Sequence, residues 1–269
     1  MNEPLQRFRI IRRSPNVVEL RMSRPEKLNA MDQLWFRELT TVMGSFGVDD
    51  DVRAVVLTGE GRAFSAGGDI DMFHDLDGDA DRVRPHLRRV YDAFHSVERC
   101  AVPVIAAVNG LAYGGGTELA LACDMVLAGE SARFSFKEVD VGLQPGFGIV
   151  RGPQVIGPQW TSYMALTGRD IDPCQARACG LVQEVHPDGE LLEHALGLAG
   201  EIAAKPLLAV QVGKAFIKRH TTAGFSESVE ATALLFGTAQ HAEAVTAFRQ
   251  RSGRDRGRSR TELDTSPSL

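Results

Sequence analysis

Two glycine-rich segments each follow an apolar run and lead into a stretch that can be helical. They are residues 64–70 (FSAGGDI) and residues 109–118 (NGLAYGGGTE). A glycine turn between a strand and a helix exposes backbone N–H groups, because no side chain covers them and the first N–H groups of a helix have no partner inside it. Two such turns that face each other would aim two N–H donors at one oxygen atom, which is the arrangement of an oxyanion hole.

The order of strand, glycine turn and helix occurs twice along the chain. The dense apolar runs at residues 52–58 and 103–108 predict strands that are buried on both faces, and each precedes one of the glycine segments. Helices are predicted for residues 80–98 and 115–122. This recurrence indicates an α/β fold of stacked ββα units, not a single doubly wound sheet.

The remaining patterns predict further strands and helices and divide the chain into three regions. Short strands are expected at residues 8–11, 17–20 and 125–128, and an amphipathic helix is expected from an Asp32 N-cap to about Phe46. Residues 71–81 carry five Asp and predict a mobile surface loop. Helical periodicity then fills residues 191–204, 206–220 and 226–250. We therefore expect a core over residues 1–190, a helical region over 191–250 that packs on the core or on a neighbouring subunit, and a disordered tail over 251–269.

Composition excludes several classes of function. The 269 residues are 43% hydrophobic and 24% charged, which is ordinary for a soluble globular protein, and the net charge of -5 gives no reason to expect a nucleic-acid partner. The arginine-rich tail is interpreted as a solvated segment. No apolar stretch is long enough to span a membrane. The four cysteines show no CxxC spacing, so we expect reduced thiols, no metal site and a cytoplasmic location.

Several motifs together resemble the crotonase family, also called the enoyl-CoA hydratase/isomerase family. The matching stretches are residues 24–30 (RPEKLNA), 64–70, 110–124, 134–148, 166–169 (LTGR) and 176–185 (ARACGLVQEV). The resemblance implies a spiral of ββα units followed by a helical trimerisation region. It also implies an acyl-CoA thioester as substrate, a homotrimer or a hexamer made of two trimers, and no cofactor beyond the coenzyme A that the substrate carries.

The resemblance also implies roles for four residues. The two N–H groups that hold the thioester oxygen fall on Gly68 and Gly115, and the two catalytic glutamates of the family's hydratases fall on Glu118 and Glu138. Addition of water to a double bond needs one group that deprotonates water and one that delivers a proton to the α-carbon. Two carboxyl groups a few ångströms apart tend to share one proton, so a glutamate pair suits this task.

Further contacts to the substrate are implied around these four residues. They fall on Lys27, Leu28, Ala30, Ala66, Gly67, Asp69, Ile70, Gly114, Pro145 and Gly146. Simpler interpretations stand beside some of the assignments: Asp69 could cap a turn, Lys27 could be a surface lysine, Glu118 could serve only the helix dipole, and Glu138 could be a solvated carboxylate at a strand end.

The pattern favours an enoyl-CoA hydratase that acts on a trans-2-enoyl-CoA. Residues 138–143 (EVDVGL) resemble dienoyl-CoA isomerases, but this chain has Gly146 where those enzymes place an acid. A Δ3,Δ2-enoyl-CoA isomerase, or another reaction through an enolate, stays open because it needs only one base, for which Glu138 would serve. A protein that binds acyl-CoA or RNA and has lost catalysis is the alternative outside the enzymes.

Overall fold

The computed structural model describes residues 4–46, 51–69, 71–72 and 80–218, with residues 80–84 described by their backbone alone. The chain divides into two compact units, Met1–Ala204 and Lys205–Leu269. The strands of the described part are β1 Phe8–Ser14, β2 Val17–Met22, β3 Ala54–Gly59, β4 Ala63–Ser65, β5 Val104–Val108, β6 Leu111–Tyr113, β7 Met125–Gly129, β8 Arg133–Ser135 and β9 Glu184–His186.

A six-stranded sheet forms the base of the first unit, in the order β1-β2-β3-β5-β7-β9. The β1–β2 pair is antiparallel, and the other neighbours in this sheet are parallel. Every residue of β3 and β5 is buried, as their unbroken apolar runs predict.

A second, three-stranded parallel sheet has the order β4-β6-β8. Each of its strands follows a longer strand of the first sheet after a short turn, so that β3 and β4, β5 and β6, and β7 and β8 form successive pairs. The predicted stacking of ββα units is therefore confirmed. Each glycine segment holds a short strand that the sequence did not predict, since β4 ends at Ser65 in the first segment and β6 lies within the second. Three residues are too few to show a strand period.

The helices of the first unit complete these repeats. They are α1 Gln33–Phe46, α2 Ala80–Arg99, α3 Gly115–Ala122, α4 Gly148–Val155, α5 Gly157–Thr167, α6 Pro173–Ala178 and α7 Leu191–Ala203, with 3-10 helices at Pro25–Lys27 and Lys137–Val141. Asp32 caps α1 as expected, since its Oδ1 accepts a hydrogen bond of 2.8 Å from the Trp35 N–H. The predicted loop over residues 71–81 is helical at residues 71–72 and 80–81, and residues 73–79 lie outside the described part.

Helix α7 packs against the large sheet. Its buried face consists of Leu191, Ala195, Ala199 and Ala203, which share a core cluster with residues of β2, β3, β5 and β7. Small side chains four residues apart let the helix approach the sheet closely. This helix, which we expected in the helical C-terminal region, lies within the first compact unit, which ends at Ala204.

The second unit is described by one helix, α8 Leu207–Ile217. The predicted helix over residues 226–250 and the predicted disordered tail lie outside the described residues. Among the helices described, none alone has the length and hydropathy needed to cross a bilayer, and α7 and α8 meet that test only as a broken pair.

Candidate active site

The two glycine turns lie against each other. Gly67 has a φ of +88°, and a Cβ added there would lie 2.6 Å from the Tyr113 carbonyl oxygen and 3.1 Å from the Gly115 nitrogen. A side chain at Gly116 would likewise collide with the Ser65 carbonyl oxygen. These glycines are therefore required by close contact between two backbone segments, as well as by the turn itself.

The predicted oxyanion-hole residues meet at this contact. Gly115 is the first residue of α3, so its N–H has no acceptor within the helix and lies at the positive end of the helix dipole. A Cβ added to Gly115 would lie 3.8 Å from the Gly68 nitrogen. Gly68 and Gly115 both line one cavity of about 230 Å³. The fold thus brings two stretches of glycine backbone to the wall of a single cavity.

Glu118 lies in the first turn of α3 and is only 4% exposed. Its Oε1 accepts a hydrogen bond of 2.8 Å from the Gly148 N–H at the start of α4. Burial, followed by the negative charge of Glu138, raises the pKa of Glu118 to about 8, against the opposing effect of the Phe147 and Gly148 N–H groups. A carboxyl group with this environment holds a proton near neutral pH.

Glu138 faces the same cavity from the second 3-10 helix, so it is not the strand-end carboxylate of the simpler interpretation. A Cβ added to Gly114 would lie 2.6 Å from Glu138 Oε1. Its Oε2 is buried and has no hydrogen-bond partner among the residues that the structure describes. Burial raises the pKa of Glu138 to about 7. A buried carboxylate oxygen without a partner is costly, and such groups concentrate at functional sites.

The two carboxyl groups act on each other electrostatically and titrate as a pair. Since both pKa values are raised, the pair retains one proton in the neutral range, with one member charged and the other protonated. One cavity thus presents a protonated carboxyl group, a charged one and the glycine backbone of residues 68 and 115. This set can stabilise an enolate while protons move on and off carbon.

Most of the cavity wall is apolar, and the sequence analysis missed a large part of it. The face of α2 contributes His86, Leu87, Val90, Tyr91 and Phe94. Phe147 also lines the cavity. The amphipathic period of α2 predicts an apolar face, but periodicity does not tell whether that face covers the core or a cavity.

A second cavity of about 310 Å³ shares Gly68 and Glu138 with the first. It collects most of the predicted substrate contacts, which are Lys27, Ala30, Ala66, Gly67, Asp69 and Gly114. Gly146 lines the first cavity instead.

Three predicted substrate contacts have other positions. Leu28 and Pro145 belong to the lining of neither of these two cavities, and Ile70 lies outside the described residues. Leu28 has a left-handed φ of 52°, and its carbonyl oxygen accepts a hydrogen bond of 2.9 Å from the Ala66 N–H. This bond joins residues 24–30 to the first glycine turn.

Charged residues near the second cavity are paired within the protein. Asp69 Oδ2 accepts a hydrogen bond of 2.7 Å from Arg24, and Asp69 Oδ1 accepts one of 3.1 Å from the Asp71 N–H, which agrees with its interpretation as a turn residue. Lys27 forms an exposed ion pair of 3.0 Å with Asp71. Within the described part of the chain, no three His, Cys, Asp or Glu side chains are grouped so that they could hold a metal ion.

The comparisons with known proteins agree with this geometry. Residues 12–254 match the family model described as enoyl-CoA hydratase/isomerase. The chain is 35% identical over 249 residues to 2,3-dehydroadipyl-CoA hydratase of Escherichia coli, covering 90% of this chain and 95% of that protein. It is also 40% identical over 219 residues to the human mitochondrial Δ(3,5)-Δ(2,4)-dienoyl-CoA isomerase, covering 77% of this chain and 67% of the human protein.

Solved structures give the same result. The crystal structure of an enoyl-CoA hydratase from Bacillus anthracis superposes with a TM-score of 0.86 at 31% identity, covering 91% of this chain and 97% of that one. Sequence, fold and the two glycine turns thus agree, and this chain belongs to the crotonase, or enoyl-CoA hydratase/isomerase, family.

Proposed function

We propose that this protein is an enoyl-CoA hydratase that adds water across the double bond of a trans-2-enoyl-CoA. The thioester oxygen accepts hydrogen bonds from the Gly68 and Gly115 N–H groups. The ionised member of the Glu118–Glu138 pair takes a proton from water, whose oxygen bonds to C3. The electron pair of the double bond moves onto the thioester as an enolate, and the protonated member of the pair then delivers its proton to C2.

The presence of both glutamates at one cavity carries this proposal. Either carboxyl group alone would be enough to move a proton from one carbon atom to another, but hydration uses an acid and a base at the same time. The raised pKa values of Glu118 and Glu138 keep one proton on the pair at neutral pH, which is the state that this reaction requires. Loss of one oxyanion donor costs about 3 kcal/mol in comparable sites, so the glycine backbone is a substantial part of the proposed mechanism.

The test is the loss of enoyl absorbance when the protein is mixed with trans-2-enoyl-CoA esters from crotonyl- to decenoyl-CoA. We expect turnover with at least one chain length, and the 3-hydroxyacyl-CoA as product. A folded protein that hydrates none of these esters would refute the proposal.

A second candidate is an isomerase that moves a double bond through the same enolate. The 40% identity to a dienoyl-CoA isomerase favours it. One feature argues against it. The resemblance implies that dienoyl-CoA isomerases carry an acidic residue at position 146, but this chain has a glycine there, beside the Tyr91 hydroxyl. The discriminating measurement supplies 3-enoyl-CoA and 3,5-dienoyl-CoA to the same preparation, and isomerisation faster than hydration would favour this candidate.

We also propose that the protein assembles as a homotrimer or as a hexamer of two trimers, as the family resemblance implies. Large apolar side chains on α4 and α5 support an interface there, since Val150 is 59% exposed and Leu166 is 71% exposed. Sedimentation equilibrium measures the mass directly, and a monomer at micromolar concentration would contradict the proposal.

A further inference from the structure

We propose that Tyr91 is a positioning residue for Glu118, which it holds through the backbone of residues 146–148. This inference rests on the proposed function, since it concerns how one member of the acid–base pair is kept in place. Tyr91 lies on α2, far from both glutamates in sequence, and no motif in the chain points to it.

The first link is between Tyr91 and the segment that precedes α4. The Tyr91 hydroxyl donates a hydrogen bond of 2.8 Å to the Gly146 carbonyl oxygen. The Tyr91 ring also lies 6.5 Å from the Phe147 ring, which packs on Phe94 at 5.3 Å and on His95 at 5.6 Å, between ring centroids. Helix α2 thus holds two consecutive residues, one by its carbonyl group and one by its side chain.

The second link is between that segment and Glu118. The next residue, Gly148, donates its N–H to Glu118 Oε1 at 2.8 Å. Gly148 packs closely on Phe136, since a Cβ added at Gly148 would lie 2.6 Å from that ring. A shift of Gly146 or Phe147 would therefore move the N–H groups of Phe147 and Gly148, which both act on this carboxyl group.

Residues 141–144, which precede this segment, are exposed, and Leu143 is 51% exposed. The Leu143 N–H donates a hydrogen bond of 2.8 Å to the Glu138 carbonyl oxygen, and Pro145 is the first buried residue after this stretch. Contacts from α2 then anchor Gly146 and Phe147. The buried ion pair of Glu98 with Arg151 is a second contact between α2 and α4, one helical turn after Phe147.

The local electrostatics agree with this role. Burial and the charge of Glu138 raise the pKa of Glu118, and the N–H groups of Phe147 and Gly148 lower it. Burial and the charge of Glu118 in turn raise the pKa of Tyr91. A backbone N–H that donates to a carboxylate favours its ionised form. Loss of the Gly148 bond would therefore raise the pKa of Glu118 further.

The test is Tyr91→Phe, which removes the hydroxyl and keeps the ring, with Tyr163→Phe on the exposed side of α5 as the matched control. We expect kcat for a short enoyl-CoA to fall about three- to tenfold, since a hydrogen bond of this kind is worth about that much, while KM changes less than twofold. The alkaline limb of the pH profile, which reports the protonated member of the pair, should move to higher pH. Hydrogen exchange of the peptide that carries residues 145–151 should become faster.

Two results would overturn the inference. One is a variant whose melting temperature falls while its kcat and pH profile match the wild type, which is the behaviour of a purely structural tyrosine. The other is unchanged hydrogen exchange over residues 145–151. Wild-type hydration is measured in parallel, so that absence of activity in the wild type would count against the proposed function and not against Tyr91.

Discussion

Replacement of Glu118 by Gln removes the charge of the more buried carboxyl group of the Glu118–Glu138 pair and keeps its size. In the wild type, the pKa rises from an ordinary 4.5 to about 8 on folding. The folded state therefore holds a proton that the unfolded state has released, and stability falls as pH rises through this window. At about 1.4 kcal/mol for each pH unit, the loss is on the order of 5 kcal/mol.

The assay is urea unfolding at pH 5, 7 and 9 for the wild type, Glu118→Gln and the control Glu130→Gln, whose side chain is exposed. At pH 5 the wild type and Glu118→Gln should differ little from each other. At pH 9 Glu118→Gln should be the more stable protein, because it has no charge to bury. The control should follow the wild type at each pH.

Activity should change in the opposite direction. Loss of a general acid or base costs at least about 100-fold in kcat, or about 2.7 kcal/mol in the transition state. Glu118→Gln should thus be more stable at alkaline pH and nearly inactive. If its stability falls with pH as steeply as that of the wild type, Glu118 is not the buried titrating group. If its kcat is near normal, Glu118 takes no part in the reaction.

The remaining predictions concern the same pair and its surroundings. The profile of kcat/KM against pH should be bell-shaped, with both limbs above the ordinary range of a carboxyl group, and a flat profile from pH 5 to 9 would contradict a shared proton. Gly114→Ala should lower kcat at least about tenfold, because a φ of +50° is strained for alanine and the new Cβ would lie 2.6 Å from Glu138 Oε1. The control Gly197→Ala should match the wild type in the same assay, because Gly197 has open space around it. Glu98→Gln should lower the free energy of unfolding by about 3–5 kcal/mol, since it leaves Arg151 buried without its carboxylate partner, and an unchanged melting temperature would refute that assignment.

The sequence predicted the parts of the site that lie close together along the chain. Gly115 and Glu118 are three residues apart on one helix, and the need for bare backbone explains the glycines around them. Prediction of the buried strands from apolar runs was equally direct, because burial on both faces leaves a continuous signal.

Other features depend on contacts that no local pattern records. The bond from Gly148 to Glu118 joins residues 30 apart and uses a backbone N–H, which side-chain identity does not reveal. The wall formed by α2 has the same amphipathic period as a helix that covers a solid core. The short strands β4, β6 and β8 form because neighbouring repeats stack, so their signal lies in the tertiary structure and not in their three-residue sequences.

The proposed mechanism requires that the two glycine turns and the two glutamates act on one acyl-CoA. A crystal structure with acetoacetyl-CoA bound would measure this arrangement. We predict that the thioester oxygen lies about 2.7–3.1 Å from both the Gly68 and the Gly115 nitrogen atoms, with the carboxyl groups of Glu118 and Glu138 facing C2 and C3 of the acyl chain. A thioester oxygen bound away from these two nitrogen atoms, or an acyl chain that leaves either glutamate out of reach, would contradict it.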